Sequence, residues 1–337
     1  MRGVRASNFC CDRFVKSGTI RREKRGDKKQ ATENLGRPNE VVILRIFELG
    51  KHDFFLWVLL FGWLLLLSAC GSTCDCSDEN RPLAPVKVSA IDKKEMVLIP
   101  AGDFIMGTDK IDEENTHRKI GAVKPLYLDQ HPVRTIRLDA YYIDKYEVTN
   151  EEYKNFIDAS GFDEYPGNWE NGVFADGTGK YPVTHITWKE AWTYALWAGK
   201  MLPTEAQWEK AARGVDGQPF PWGDSYEKGK SNIGIEGARA PAPVGSYPGD
   251  SSPYGVYDLA GNVMEWTLSW YLPYPGNTYK DRRFGKVLKV LRGNGFQKAG
   301  HYFLDAYRYT FARTEVDPND YFENVGFRCV TPMISSK

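Results

Sequence analysis

The sequence predicts an α+β fold: a single large domain with low regular secondary structure, an aromatic core and long irregular loops. Composition points there first. The chain carries 10 Trp, 19 Tyr and 17 Phe beside 32 Gly and 19 Pro; so many rings and chain breakers suit irregular loops closing over one core better than a helix bundle. The second observation is one helix-start signature used three times, a Thr followed three residues later by Glu or Gln, at Thr149, Thr187 and Thr204. The third is a set of short apolar runs bounded by Pro and Gly around those helices, as short strands are.

In chain order, Met96 to Gly107 (MVLIPAGDFIMG) opens the domain as two short strands around a turn. His131-Pro132-Val133 then leads into a strand from Thr135 to Tyr146. The first helix follows Thr149, with Glu152 closing the capping box and Val148 stapling to Tyr153. The second follows Thr187 and Glu190, covers Ala191 to Ala198 and stops at Gly199; the third follows Thr204 and Gln207 and ends at Gly214. Further on, Val256, Tyr257 and Leu259, then Val263, Met264 and Trp266, read as hairpin strands around a Gly261-Asn262 turn.

The chain of 337 residues balances 44 acids against 44 bases. That balance conceals a basic leader: residues 1–50 hold 12 Lys+Arg against 6 Asp+Glu, so the remainder is mildly acidic. An acidic body without a basic stripe argues against nucleic acid as a partner. Phe54 to Leu67 is a 14-residue apolar run, short for a membrane span and right for a signal-peptide core. The Leu67-Ser68-Ala69-Cys70 tail after it resembles the bacterial lipobox, which implies lipidation at Cys70 and an extracytoplasmic, lipid-anchored domain in the bacterial cell envelope. An uncleaved anchor is the rival and leaves the domain on the same side.

The expected organisation is therefore a leader at 1–50, a lipoprotein signal peptide at 51–69, a polar tether at 70–95 and the domain at 96–332. The leader reads as the product of a misassigned start at Met1, or else as a disordered cytoplasmic extension. Of six cysteines, Cys10 and Cys11 fall in the leader and Cys70 carries the lipid, leaving Cys74, Cys76 and Cys329 for an oxidising compartment. Cys74-Asp75-Cys76 reads as linker, and a bridge from Cys329 to either is left open.

Asp258 and Glu265 flank Gly261-Asn262, so a turn there brings two carboxylates together with the carbonyls of Gly261 and Val263. This is an all-oxygen set of the kind Ca²⁺ takes. From the residues alone, the plain hairpin with its charges facing water is the preferred reading.

Resemblance changes that preference. YGVYDLAGNVMEWT, YEVTNEEYKNF, LPTEAQWEKAARG and PFPWGD are similar, in one order, to motifs of the formylglycine-generating-enzyme (sulfatase-modifying factor) family. The likeness runs from about Met96 to Val330. It implies a mixed fold related to C-type lectin domains and a structural calcium ion at the positions matching Asp258, Gly261, Val263 and Glu265. Asn232-Ile233 resembles half of the family's second calcium site, which Gly234 to Pro241 is not expected to complete, since Glu236 is the only acid there.

In the family's oxidases, two cysteines between segments matching Arg292 and Arg313 bind copper. This chain has no cysteine there: the first position falls on Lys298, the serine of a Gly-Gly-Ser turn is Gly295, and a Trp after the calcium-site Asn is Met264. Soft thiolates suit Cu(I), so neither copper nor formylglycine synthesis is expected. The five histidines, His52, His117, His131, His185 and His301, show no metal-binding spacing, and no P-loop, dinucleotide or Gly-x-Ser-x-Gly motif occurs.

At the former copper segment, Lys298, His301, Tyr302, Tyr307 and Arg313 are candidates for a peptide- or glycan-binding groove. The alternative is that Tyr307, Tyr309 and Phe311 form a core strand while Arg308 and Arg313 make internal salt bridges, and for Arg313 this alternative is favoured. The expected function is a calcium-stabilised, non-catalytic binding module with a protein or glycan partner in the cell envelope. An oxidase using another metal or cofactor and a ligand-diversified surface receptor are the competing readings.

Overall fold

A computed structural model describes residues 84–119, 124–296 and 307–333. The leader, the apolar run, Cys70 and the first part of the tether lie outside the described residues, as do Lys298, His301 and Tyr302. The first half of the domain contributes β1 (Val86–Val88), β2 (Glu95–Ile99), β3 (Gly102–Met106), β4 (Arg134–Leu138) and β5 (Tyr141–Asp144). Helices α1 (Asn150–Ser160), α2 (Trp188–Trp197) and α3 (Glu205–Arg213) follow, then β6 (Met264–Trp270), β7 (Lys289–Arg292), β8 (Thr314–Val316), β9 (Val325–Gly326) and β10 (Val330–Pro332). The rest is mostly loop, as the Gly and Pro content requires. Among the described residues, no helix is long and apolar enough to cross a membrane.

The three helices start where the capping boxes place them. Each N-cap Thr accepts from the backbone N–H three residues on, and each Glu152, Glu190 or Gln207 side chain returns a bond to the N-cap backbone. Two of the four orphan donors of each helix end are thereby satisfied locally, which is why sequence alone locates them. Gly161, in the left-handed region, closes α1.

Two expected strands are corrected. The segment from Thr135 to Tyr146 is not one strand: β4 pairs with β3, while β5 pairs with β2 and β10 in another sheet. The break at Asp139-Ala140 lets the chain change sheets. The hairpin around Gly261-Asn262 does not form either. Residues 253–263 are loop, with Asp258 and Asn262 at positive φ, and β6 pairs instead with β7 antiparallel and β9 parallel. The tether also ends earlier than expected, because β1 is already paired to β2, Val86 opposite Val97.

Packing explains the aromatic content. Tyr153 of α1 stacks on Tyr194 of α2 with centroids 5.8 Å apart, and Phe156 and Phe327 meet these rings edge-on, the offset and T-shaped geometries that aromatic quadrupoles favour. Trp266 of β6 is completely buried in the same cluster, its indole N–H donating to the Ile186 carbonyl at 3.1 Å. A second cluster packs Trp208 and Ala212 of α3 onto Val97, Ile99, Tyr141 and Ile143 of the first sheet. The loop 253–263 adds Val256 and Leu259 to this second core, and so its polar residues are drawn inward.

Candidate functional site

Glu265 sits in β6 opposite Arg292 of β7, with its side chain wholly buried. Arg328, two residues after β9, reaches it bidentately: Nε donates at 2.9 and 2.8 Å to the two carboxylate oxygens and Nη2 at 2.7 Å to Oε1. The Trp208 indole N–H donates to Oε2 at 2.8 Å. Three N–H donors thus hold the carboxylate, the Arg328 Nε–H being shared between its two oxygens. Arg328 also donates to the carbonyls of Asp144, Lys145 and Tyr257, tying the first sheet to the loop.

Asp258 is brought to the same place by its positive φ, and its Oδ2 accepts from the Gly245 N–H at 2.6 Å. Gly261 is required by close approach, since a Cβ there would lie 2.8 Å from the Asn232 carbonyl oxygen. Asn262 then bridges the loops, with Oδ1 accepting from Ala242 N–H and Nδ2 donating to Glu147 Oε1 at 3.1 Å. Glu147 precedes α1 and is fully buried. Its Oε2 is buried without a hydrogen-bond partner.

Burial, and after it the charge of Asp258, holds the Glu147 carboxyl well above the usual carboxylate range, against the pull of Arg328. Burial likewise raises Asp258, opposed by the Gly245 N–H, by Arg328 and by a hydrogen bond with the Glu147 carboxyl, which needs a proton shared between the two acids. Asp250 is raised by burial and by Asp258 even though its carboxylate accepts from the N–H groups of Leu259 and Ala260. Four buried carboxyls, Glu147, Asp250, Asp258 and Glu265, thus surround the single guanidinium of Arg328. A low-dielectric site does not hold such a deficit of positive charge: either protons or a cation must neutralise it.

A second buried ionic network lies under the ends of the segment 293–313. Glu209 of α3 accepts from Arg213 at 2.7 Å, Arg292 at 2.5 Å and the Gly107 N–H at 2.7 Å. Arg313 chelates Glu205 at 2.8 and 3.0 Å and donates to the carbonyls of Asp129 and Leu272.

A family model described as the sulfatase-modifying factor enzyme 1-like domain matches residues 83–333. The chain belongs to this family. It is 30% identical to formylglycine-generating enzyme of Bos taurus over 311 residues, covering 74% of this chain and 76% of that protein. It is 28% identical over 286 residues to inactive C-alpha-formylglycine-generating enzyme 2 of Mus musculus, covering 70% and 85%. Among solved structures it resembles PvdO from Pseudomonas aeruginosa, with a TM-score of 0.57 at 25% identity, over 75% of this chain and all of that one. The mixed, loop-rich fold described above is that of the sulfatase-modifying factor family.

Calcium was expected at Asp258, Gly261, Val263 and Glu265, and the state of the oxygens there bears on that expectation. No three His, Cys, Asp or Glu side chains among the described residues make a complete metal cage. Glu265, one of the expected ligands, is held by Arg328 and Trp208. The oxygen left without a donor belongs to Glu147, a residue the sequence reading missed. Asp258 and Glu147 are the carboxyls of this cluster with the fewest donors, and Gly261 and Val263 are buried in the adjoining loop. Glu147 carried one signal, an acid set between Tyr146 and Val148 at the entry to a capped, apolar helix.

The other candidates separate. Arg313 is completely buried and bound to Glu205, which corrects its candidacy as a ligand anchor and gives it the internal role. Tyr307 packs, with Tyr309, against Leu126, Tyr127 and Phe311 in a small cluster, through a bend rather than the alternating core strand. Asn232 joins loops by donating to Ala240 O and Asn262 Oδ1, and Glu236 accepts from Tyr226 and from the Gly229 N–H. Cys329 is a free, fully buried thiol that burial, then Asp144, pushes well above the usual thiol range.

Proposed function

We propose that this protein is a lipid-anchored, extracytoplasmic binding module of the bacterial cell envelope, stabilised by one calcium ion and devoid of oxidase chemistry. It holds a protein or glycan partner; it does not oxidise one. The observation that carries the proposal is cysteine usage. Residues 83–333 contain a single cysteine, Cys329, and it is enclosed in the core with a raised thiol pKa. The paired, accessible thiolates that suit Cu(I) are not available from this domain. The calcium reading is supported by the excess of buried carboxyls around Arg328 and the donorless Glu147 oxygen. The anchor is supported by the apolar run and Leu67-Ser68-Ala69-Cys70.

The test is metal content by mass spectrometry after exposure to Ca²⁺, Cu(I) and Fe(II), together with oxygen uptake in the presence of a cysteine-containing peptide. About one bound calcium, no retained copper or iron and no oxygen uptake are expected. Stoichiometric copper or iron with oxygen consumption overturns the proposal in favour of an oxidase using other ligands.

A further inference from the structure

Away from the carboxyl cluster, the loop from Asn168 to Thr184 closes over the start of α1 and leaves a cavity of about 120 Å³. Aromatic residues Trp169, Phe174 and Tyr181 line it, and the polar lining comes from Asn150, Asn168, Thr178 and Thr184, with no charged side chain among the lining residues. Its walls are set before any ligand arrives. The Trp169 indole N–H donates to Asn150 Oδ1 at 3.3 Å, and Asn150 Nδ2 donates to the Thr178 carbonyl at 3.0 Å. The Phe174 ring stands at 65° to Trp169 with centroids 5.3 Å apart, forming a corner of two rings. The far wall, at Pro241, is clasped to the loop by the Val244 N–H donating to the Lys180 carbonyl at 3.0 Å.

The geometry points to a binding site for one neutral pyranose residue, the exposed end or side branch of a glycan. Size is the first reason: the cavity falls below the roughly 300–1,000 Å³ of sites for drug-sized ligands, so it takes a single small ring. Charge is the second. A carboxylate, phosphate or ammonium entering here loses water and meets no opposite charge among the lining residues, whereas a neutral sugar loses only hydroxyl hydration. Chemistry is the third. Electron-rich ring faces attract the polarised C–H face of a pyranose, and the carboxamide of Asn168 and the hydroxyl of Tyr181 both donate and accept, as sugar hydroxyls do, while the buried Thr184 hydroxyl is held by His185 Nδ1 at 3.1 Å. The inference goes beyond the proposed function by naming a place and a ligand class, and it does not depend on the calcium site.

Saturation-transfer difference NMR on the full chain in excess calcium tests it. The probes are the methyl glycosides of glucose, galactose and N-acetylglucosamine, with glucuronate and glucosamine as anionic and cationic controls. Ring-proton saturation is expected for at least one neutral glycoside and for neither control. Affinity should fall at least about tenfold, or about 1.4 kcal/mol, in Phe174→Ala, which removes a ring, and in Ala175→Trp, which fills the cavity from an exposed position. Circular dichroism checks that both variants fold, and the second keeps the test decisive if the first does not. Absence of saturation from every neutral glycoside, binding retained in Ala175→Trp, or charged sugars binding as well as neutral ones overturns the inference.

Discussion

Replacing Glu147 by Gln removes one buried negative charge, keeps the side-chain shape and leaves an acceptor for Asn262. Without a cation, the Glu147 carboxyl has a folded-state pKa well above its ordinary 4.5. The native state then keeps a proton that the unfolded chain has released. Stability therefore falls as pH rises from the unfolded value towards the folded one, by about 1.4 kcal/mol per pH unit. Asp250 and Asp258 contribute in the same direction. In chelator at neutral pH, Glu147→Gln should thus be more stable than the parent by at least about 1.4 kcal/mol. For a domain of this size that raises the melting temperature by about 3–6 °C. Saturating calcium reverses the order: a ligand at one hundred times its dissociation constant adds about 2.7 kcal/mol to a protein that binds it, and the variant lacks one anionic ligand. The assay is thermal melting across pH 5–8, in chelator and in calcium, for both proteins. A calcium-induced shift of equal size in the two proteins, or a variant less stable than the parent in chelator at neutral pH, refutes the assignment of Glu147 to the cation.

Arg328→Met leaves Glu265, Asp258 and Glu147 without their guanidinium and should cost about 3–5 kcal/mol in urea unfolding; a loss under about 1 kcal/mol would contradict its central place. Glu209→Ala strands Arg213 and Arg292 in the interior, and a loss of the same order is expected, read as a lower denaturation midpoint at unchanged slope. Thr187→Ala removes only the cap of α2, so about 1 kcal/mol is expected, with Thr187→Ser restoring most of it. Cys70→Ser should abolish labelling by radioactive palmitate and release the chain from the membrane fraction; unchanged labelling would place the lipid elsewhere or remove it from the account.

Much of the fold was legible because its signals are local. A capping box is complete within four residues, and so Thr149, Thr187 and Thr204 located the three longer helices, though not the single turn at Thr116–Lys119. The abundance of Trp, Tyr and Phe announced an aromatic core, and family likeness supplied the fold that arranges it. Strand pairing was less legible. Thr135 to Tyr146 has one continuous apolar pattern, yet β4 and β5 serve different sheets, a choice made by the partners β3, β2 and β10 rather than by the segment itself. The expected hairpin at Gly261-Asn262 failed for the same reason: Val256 and Leu259 are drawn into the α3 core, and β6 finds β7 and β9 instead.

By itself the sequence determined the helix starts, the apolar run ahead of Cys70, the acidic loop at Asp258 and the lack of a cysteine pair in the domain. Each is a matter of residue identity or of spacing within a few positions. Only the tertiary structure decided which carboxylates remain unfilled. Glu265 is satisfied by Arg328 and Trp208, while Glu147, far earlier in the chain, meets Asn262 and keeps a donorless oxygen. Arg313, weighed as a groove residue but favoured as an internal one, is buried against Glu205, and only the fold names that partner. Whether a charged group is a ligand or a structural partner depends on how much water and how many donors surround it. Long-range packing sets both, and no run of neighbouring residues encodes them.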